Sequence, residues 1–168
     1  MTLRVLGIDP GLRITGYGAI ESNRGVVALL EAGIVAPDVN ATLADRLELL
    51  HRGICDVVAA TRPDAVVIEE LFSAYRNPLT AVMMGHARGV LCLAAAQQHV
   101  GVHALAHSAV KRALTGSGAA RKEQVRSMVI QLLGLKAVPE PADVSDALAL
   151  ALAFAHRAGR SSHNGEAH

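Results

Sequence analysis

Four acids carry the chemistry this sequence could perform. Asp9 closes the apolar run Arg4-Val5-Leu6-Gly7-Ile8 and opens the turn Asp9-Pro10-Gly11. Glu69 closes a second apolar run, Ala65-Val66-Val67-Ile68. Asp143 and Asp146 stand three apart at the head of the Ala-rich stretch Ala147-Leu148-Ala149-Leu150-Ala151, a spacing that puts both on one helical face. Each has an ordinary explanation. Asp9 suits a tight turn, where Pro presets φ and Gly accepts unusual φ. Asp143 and Asp146 suit the positive end of a helix dipole. If the fold gathers all four, they repel one another and hold each other's pKa up. Hard divalent cations relieve that repulsion, and carboxylate oxygens without Cys or His match Mg²⁺ or Mn²⁺. Two such ions, ~3.5–4 Å apart, can clamp the attacking and leaving oxygens of a phosphodiester, and no side-chain nucleophile is then required.

The elements that must position these acids follow from the hydrophobic pattern. Residues 3–9, 13–21 and 25–36 read as three strands with short connections, hence an antiparallel meander. Glu21-Ser22-Asn23-Arg24-Gly25 is the hairpin turn between the second and third. Asn40 or Thr42 can cap a helix reaching Thr61, whose apolar face is Leu43, Leu47, Leu50, Ile54, Val57 and Val58. Ala65 to Ile68 and Val100 to Ala106 are short apolar strands, as expected when both faces are buried. Helices are predicted at about 78–99, 109–114, 121–133 and 142–158, the first opening with Asn77 as cap and Pro78 inside it. A meander followed by alternating helix and strand predicts an α/β fold: one five-stranded mixed sheet with helices on both faces. Ligands of such a sheet sit at the carboxyl ends of its parallel strands, which is where Asp9 and Glu69 fall.

The chain has 168 residues, 51% of them hydrophobic, which suits one domain over residues 1–158 and excludes general disorder. Residues 159–168 are small and polar and are expected to form a flexible tail. The apolar runs Val90–Ala96 and Ala147–Ala155 fall short of the ~20 residues a bilayer span takes, and the N-terminus enters a strand without a cleavable signal peptide, so no membrane association and a cytoplasmic location are expected. Cys55 and Cys92 lie in helical patterns and read as small buried hydrophobes. The eight histidines form no metal-ligand spacing. His107 and its fellows at 51, 86, 99, 103 and 156 read as surface or satisfied core groups, and His163 and His168 fall in the tail.

The blocks Gly7-Ile8-Asp9-Pro10-Gly11, Thr15-Gly16-Tyr17-Gly18, Ile68-Glu69 and Asp143-Val144-Ser145-Asp146-Ala147-Leu148-Ala149, in this order, resemble the RuvC family of bacterial Holliday-junction resolvases. The resemblance runs from residue 3 to about 157. It implies a ribonuclease-H-like fold and a homodimer that nicks four-way DNA junctions in pairs, in recombination and repair. It also implies two Mg²⁺ or Mn²⁺ ions held by Asp9, Glu69, Asp143 and Asp146, and the RuvA–RuvB branch-migration complex as partner. Some members carry His where this chain has Asp143, and Glu70 has no counterpart in the pattern.

DNA contacts are expected in two places. The loop Leu71-Phe72-Ser73-Ala74-Tyr75-Arg76-Asn77 follows Glu69 directly and holds two of the four aromatics, Phe72 and Tyr75. By sequence Phe72 either anchors the loop on the core or stacks on bases; the resemblance favours contact with unpaired bases at the junction centre, with Tyr75 and Arg76 beside it. Between His107 and Lys136, six basic residues face the single acid Glu123, a local charge of +5 in a chain of net +1. That is an ordinary solvated face or a phosphate track. The resemblance maps DNA-binding lysines onto Lys111 and Lys122. Gly85 and Gly89, four apart in Met83–Val90, permit close helix contact, either with the sheet of the same chain or, as the resemblance implies, across a dimer interface.

Three rival readings compete with this one. An ATP-binding domain of the actin and sugar-kinase type also opens with Asp-x-Gly, but needs a second glycine-rich phosphate hairpin that this sequence lacks. A catalytically dead junction-binding module, or a ribonuclease H or transposase-like nuclease, fits the acids less specifically.

Overall fold

The computed structural model describes residues 2–70 and 77–163, the last four as backbone only. Three strands come first: β1 (Thr2–Asp9), β2 (Thr15–Asn23) and β3 (Val26–Val35). They pair antiparallel as a meander. Arg24 at φ 50° and Gly25 at φ 85° turn β2 into β3, both central residues left-handed as a two-residue I′ hairpin requires. Helix α1 (Leu43–Thr61) starts at Thr42, whose hydroxyl accepts from Asp45 N, so Thr42 rather than Asn40 is the cap. Strand β4 (Ala65–Glu69) then pairs parallel with β1, and β5 (Gly101–Leu105) pairs parallel with β4. The sheet order is β3-β2-β1-β4-β5. Between β4 and β5 runs α2 (Pro78–Gln97), capped by Asn77 Oδ1, which accepts from Leu79 N at 2.9 Å. After β5 come α3 (His107–Thr115), α4 (Lys122–Leu133) and α5 (Ala142–His163). α5 continues past Ala158, where polar composition suggested an end, because a formed helix extends at one hydrogen bond per added residue. Of the expected tail, 164–168 lie outside the described residues.

The period-two alternation of the strands sorts the sheet into two cores. Val5, Ile20, Val67 and Leu105 face α3, α4 and α5, where Val110, Val129, Leu148 and Leu152 complete the layer. Leu6, Ile8, Ala19, Val66 and Ile68 face the other way, onto Ile54, Val57 and Val58 of α1 and Leu91, Ala94 and Ala95 of α2. The expected helices on both faces are therefore present. Cys55 and Cys92 are free, half-buried and packed against this second core.

Helix α2 is long and apolar enough, by length and composition, to cross a bilayer. Its Ala87, Leu91, Ala94 and Ala95 are buried in the domain, and Arg88 donates from Nε to the Glu69 carbonyl at 3.3 Å. Its outer side keeps Leu79, Val82 and Leu93 exposed, in line with Gly85 and Gly89. A Cβ built on either glycine meets nothing within 4 Å among the described residues, so packing against those residues does not explain them.

Candidate active site

The alternation that builds the cores also aims the acids. Gly7 and Asp9 follow Val5 on the α5 side of β1, and Glu69 follows Val67 on the same side of β4. The parallel register sets Ile8 beside Ile68, so Asp9 and Glu69 come next on adjacent strands. The turn after Asp9 is held shut at Gly11, whose N–H donates to Thr15 Oγ1 at 3.1 Å and whose carbonyl accepts from that hydroxyl at 2.6 Å. Arg46 Nη2 donates to Leu12 O at 2.7 Å and pins the loop to α1.

Helix α5 brings the other acids, and three glycines let it come close. A Cβ on Gly7 would overlap the Ala147 carbonyl oxygen, one on Gly16 the Asp143 backbone, and one on Gly18 the Leu148 side chain. The first turns of α5 thus lie on bare strand backbone, beside Asp9. A cavity of about 40 Å³ opens there between Asp9, Glu69, Asp146, Lys111, Lys122 and His107. That exceeds the ~10–15 Å³ one water needs, so the cavity has room for water or ions, and a nucleic acid would have to lie across its mouth.

The electrostatics report crowding. Burial, followed by the charges of Glu69, Asp146 and Asp143, pushes the Asp9 carboxyl up from 3.8 to about 7, with Lys122 opposing. Asp143 also acts on Asp9 by its charge, and it lines the neighbouring open cleft of Gly11, Leu12, Arg13 and Met84. Asp9, Glu69 and Asp146 line the cavity, and Asp143 lines the cleft beside it. Residues three apart on a helix diverge by about 60° around its axis, enough to straddle the rim of β1. Two of the three converging acids already have partners. Lys122 Nζ lies 2.6 Å from Asp146 Oδ2, and His107 Nδ1 lies 2.9 Å from Glu69 Oε1. As the side chains stand, no three acid, His or Cys groups among the described residues converge on one point to hold an ion. The donor set nonetheless fits a hard divalent cation: three carboxylates line one cavity, and burial together with the neighbouring acids raises the Asp9 carboxyl.

Residues 5–156 match the family model described as crossover junction endodeoxyribonuclease RuvC. The chain is 46% identical over 148 residues to the RuvC of Rhodopirellula baltica, covering 88% of this chain and 83% of that one. It is 42% identical over 157 residues to the RuvC of Azorhizobium caulinodans, covering 94% and 92%. The chain belongs to the RuvC family. A solved structure of Thermus thermophilus RuvC in complex with Holliday junction substrate superposes with a TM-score of 0.90 at 36% identity, covering 95% of this chain and 97% of that one. The ribonuclease-H-like fold expected from the RuvC resemblance is thus the fold found.

Around the acids, Lys111 lies one turn along α3 from His107, and Lys122 begins α4. The α4 start is clamped by Gln124, whose side chain accepts from Arg121 N at 2.8 Å. Arg112, Arg121 and Lys136 are exposed. Glu70 is exposed and ties β4 to β5 through its N–H on the Leu105 carbonyl, 3.0 Å away. Phe72, Tyr75 and Arg76 lie outside the described residues. His107 is exposed, as the surface reading has it, and it also stands on the cavity. The available signal was its position, two residues past the end of a third parallel strand, the same rim on which Asp9 and Glu69 end theirs.

Proposed function

We propose that this chain resolves four-way DNA junctions as a homodimeric, metal-dependent endonuclease, cutting two strands by paired symmetric nicks in recombination and repair. The observation that carries the reading is the convergence of Asp9, Glu69 and Asp146 on one cavity, walled by Lys111 and Lys122. These acids, with Asp143 at the rim, would hold two Mg²⁺ or Mn²⁺ ions. When bound, the metal supplies positive charge at the scissile phosphate and makes bound water acidic enough to attack it. Lys111 and Lys122 line the same cavity, where their ammonium groups can pair with phosphate oxygens. Phe72, Tyr75 and Arg76 would contact the junction beyond Glu69, with Phe72 stacking on unpaired bases at its centre.

The dimer reading is supported by the outer stripe of α2, with Leu79, Val82 and Leu93 exposed around the bare backbone of Gly85 and Gly89. A two-fold dimer presents two sites to a junction with matching pseudo-symmetry. A DNA substrate of this kind fits a cytoplasmic protein to which the RuvA–RuvB complex would deliver junctions.

The reading is tested by cleavage of a four-way junction, a linear duplex and an RNA–DNA hybrid of the same sequence in Mn²⁺. Paired nicks confined to the junction, and abolished by Asp9→Asn, support it. Cleavage of the hybrid or the duplex at equal rate would replace it with a less selective nuclease.

A further inference from the structure

The four-acid pattern leaves one group at the cavity without a role: His107. We infer that His107 is a positioning residue, which orients the Glu69 carboxylate for the metal by a hydrogen bond from its ring. The inference rests on the proposed metal-dependent reading of the site.

The bond runs from His107 Nδ1 to Glu69 Oε1 over 2.9 Å. A carboxylate can only accept, so Nδ1 carries the hydrogen. Both ends are mounted on fixed backbone. Glu69 pairs with Leu105 across β4 and β5, and the Glu70 N–H on Leu105 O closes that rung. His107 follows two residues later as the first residue of α3, which buries Val110 and Leu114 in the core. The Glu69 side chain, by contrast, has three rotatable bonds and about a third of its surface in solvent. Ordering such a chain costs up to ~2 kcal/mol of rotamer entropy. A donor on a rigid mount meets that cost in advance. Among the described residues, His107 is the side chain that bonds the Glu69 carboxylate.

The sign of the effect on metal binding is favourable. A carboxylate has about four lone-pair sites, so one hydrogen bond on Oε1 leaves Oε2 and a further lone pair of Oε1 open. The bond needs only the hydrogen on Nδ1 and no charge on the ring. His107 therefore differs from Lys122, which presents a full cation to Asp146.

The test is Mn²⁺ binding to the full-length protein without DNA, read from the electron paramagnetic resonance signal of free Mn²⁺. His107→Ala should weaken binding about tenfold, within the ~10–100-fold range typical when a metal ligand is deprived of its outer hydrogen-bond partner. His107→Asn should restore most of that affinity, because the Asn Nδ2 lies where the ring Nδ1 did. On a Glu69→Gln background, His107→Ala should cost nothing more. Wild-type Mn²⁺ affinity in His107→Ala, Asn performing no better than Ala, or an undiminished effect on the Glu69→Gln background would each overturn the inference. If Glu69→Gln alone leaves Mn²⁺ affinity unchanged, the metal reading falls and this inference with it. Weakened binding in Glu69→Gln but not in His107→Ala overturns this inference alone. Metal-free melting temperatures of all variants check folding. Should His107→Ala fail to fold, His107→Leu against His107→Asn makes the same comparison at fuller volume.

Discussion

The ammonium of Lys122 lies 2.6 Å from Asp146 Oδ2, so one of the acids proposed to hold a metal ion is already paired with a cation. Both side chains are partly open to solvent, and pairs of this kind contribute about 0–1 kcal/mol. Metal and Lys122 then compete for Asp146. Lys122→Gln should raise the Mn²⁺ affinity of the DNA-free protein by up to about fivefold, the equivalent of ~1 kcal/mol. The same variant should bind junction DNA more weakly, with a flatter salt dependence, by ~0.9 in slope for each phosphate it no longer neutralises. Calorimetric titration with Mn²⁺ and junction binding over a salt series measure both. Weaker Mn²⁺ binding in Lys122→Gln would show that the lysine supports the metal site and does not compete with it.

Asp9 should make the metal-free protein less stable as pH rises. Its carboxyl titrates at about 7 folded and at 3.8 when unperturbed. Below 3.8 both states are protonated and the group is neutral toward folding. Between the two values the unfolded chain releases its proton while the folded chain keeps it, so stability falls with pH and levels off above about 7. Asp9→Asn should remove this component, melt higher than wild type above about pH 7, and abolish cleavage while sparing junction binding. Melting curves in chelator across the pH range check the sign. Collapse of folding in Asp9→Asn would make the residue structural.

Divalent metal should reverse that instability. The unfolded chain has no such site, so Mg²⁺ or Mn²⁺ at about 100 times its Kd should stabilise by ~2.7 kcal/mol. Because Asp9 must lose its proton to serve as ligand, metal affinity should rise with pH up to about 7. The stabilisation should shrink in Asp146→Asn. Thermal shift with and without metal reads both, and an undiminished shift in that variant would remove Asp146 from the ligand set.

Gly7→Ala should cost ~1–3 kcal/mol or more, since the added methyl overlaps the Ala147 carbonyl and the obstacle is helix backbone that cannot repack. Gly159→Ala, in α5 with nothing within 4 Å among the described residues, should instead gain up to ~1 kcal/mol of helix propensity. Urea denaturation of the two variants separates close packing from the general effect of replacing a glycine.

Gly89→Arg should give a folded monomer. A long cation on the bare stretch of α2 opposes close approach of a second copy, and its Cβ meets nothing within 4 Å among the described residues. Sedimentation equilibrium reads the mass, and the monomer should no longer nick a junction in pairs. An unchanged dimer would move the interface elsewhere.

Much of this site is legible along the chain because its parts announce themselves locally. Asp9 and Glu69 each end an apolar strand, and two parallel strands of similar burial bring their ends to one rim. The Ala-rich start of α5 announces close approach. The ten elements and their faces follow from period and turn chemistry alone. What lies beyond the sequence depends on long-range register. Ala147 against Gly7, and the Asp143 backbone against Gly16, decide how far α5 slides and turns over the sheet. That setting sends Asp146 into the cavity with Asp9 and leaves Asp143 lining the next cleft. The pairing of His107 with Glu69 and of Lys122 with Asp146 joins residues 38 and 24 positions apart. No local pattern encodes such contacts, because they exist only where β5, α3 and α4 come to rest beside β4 and α5.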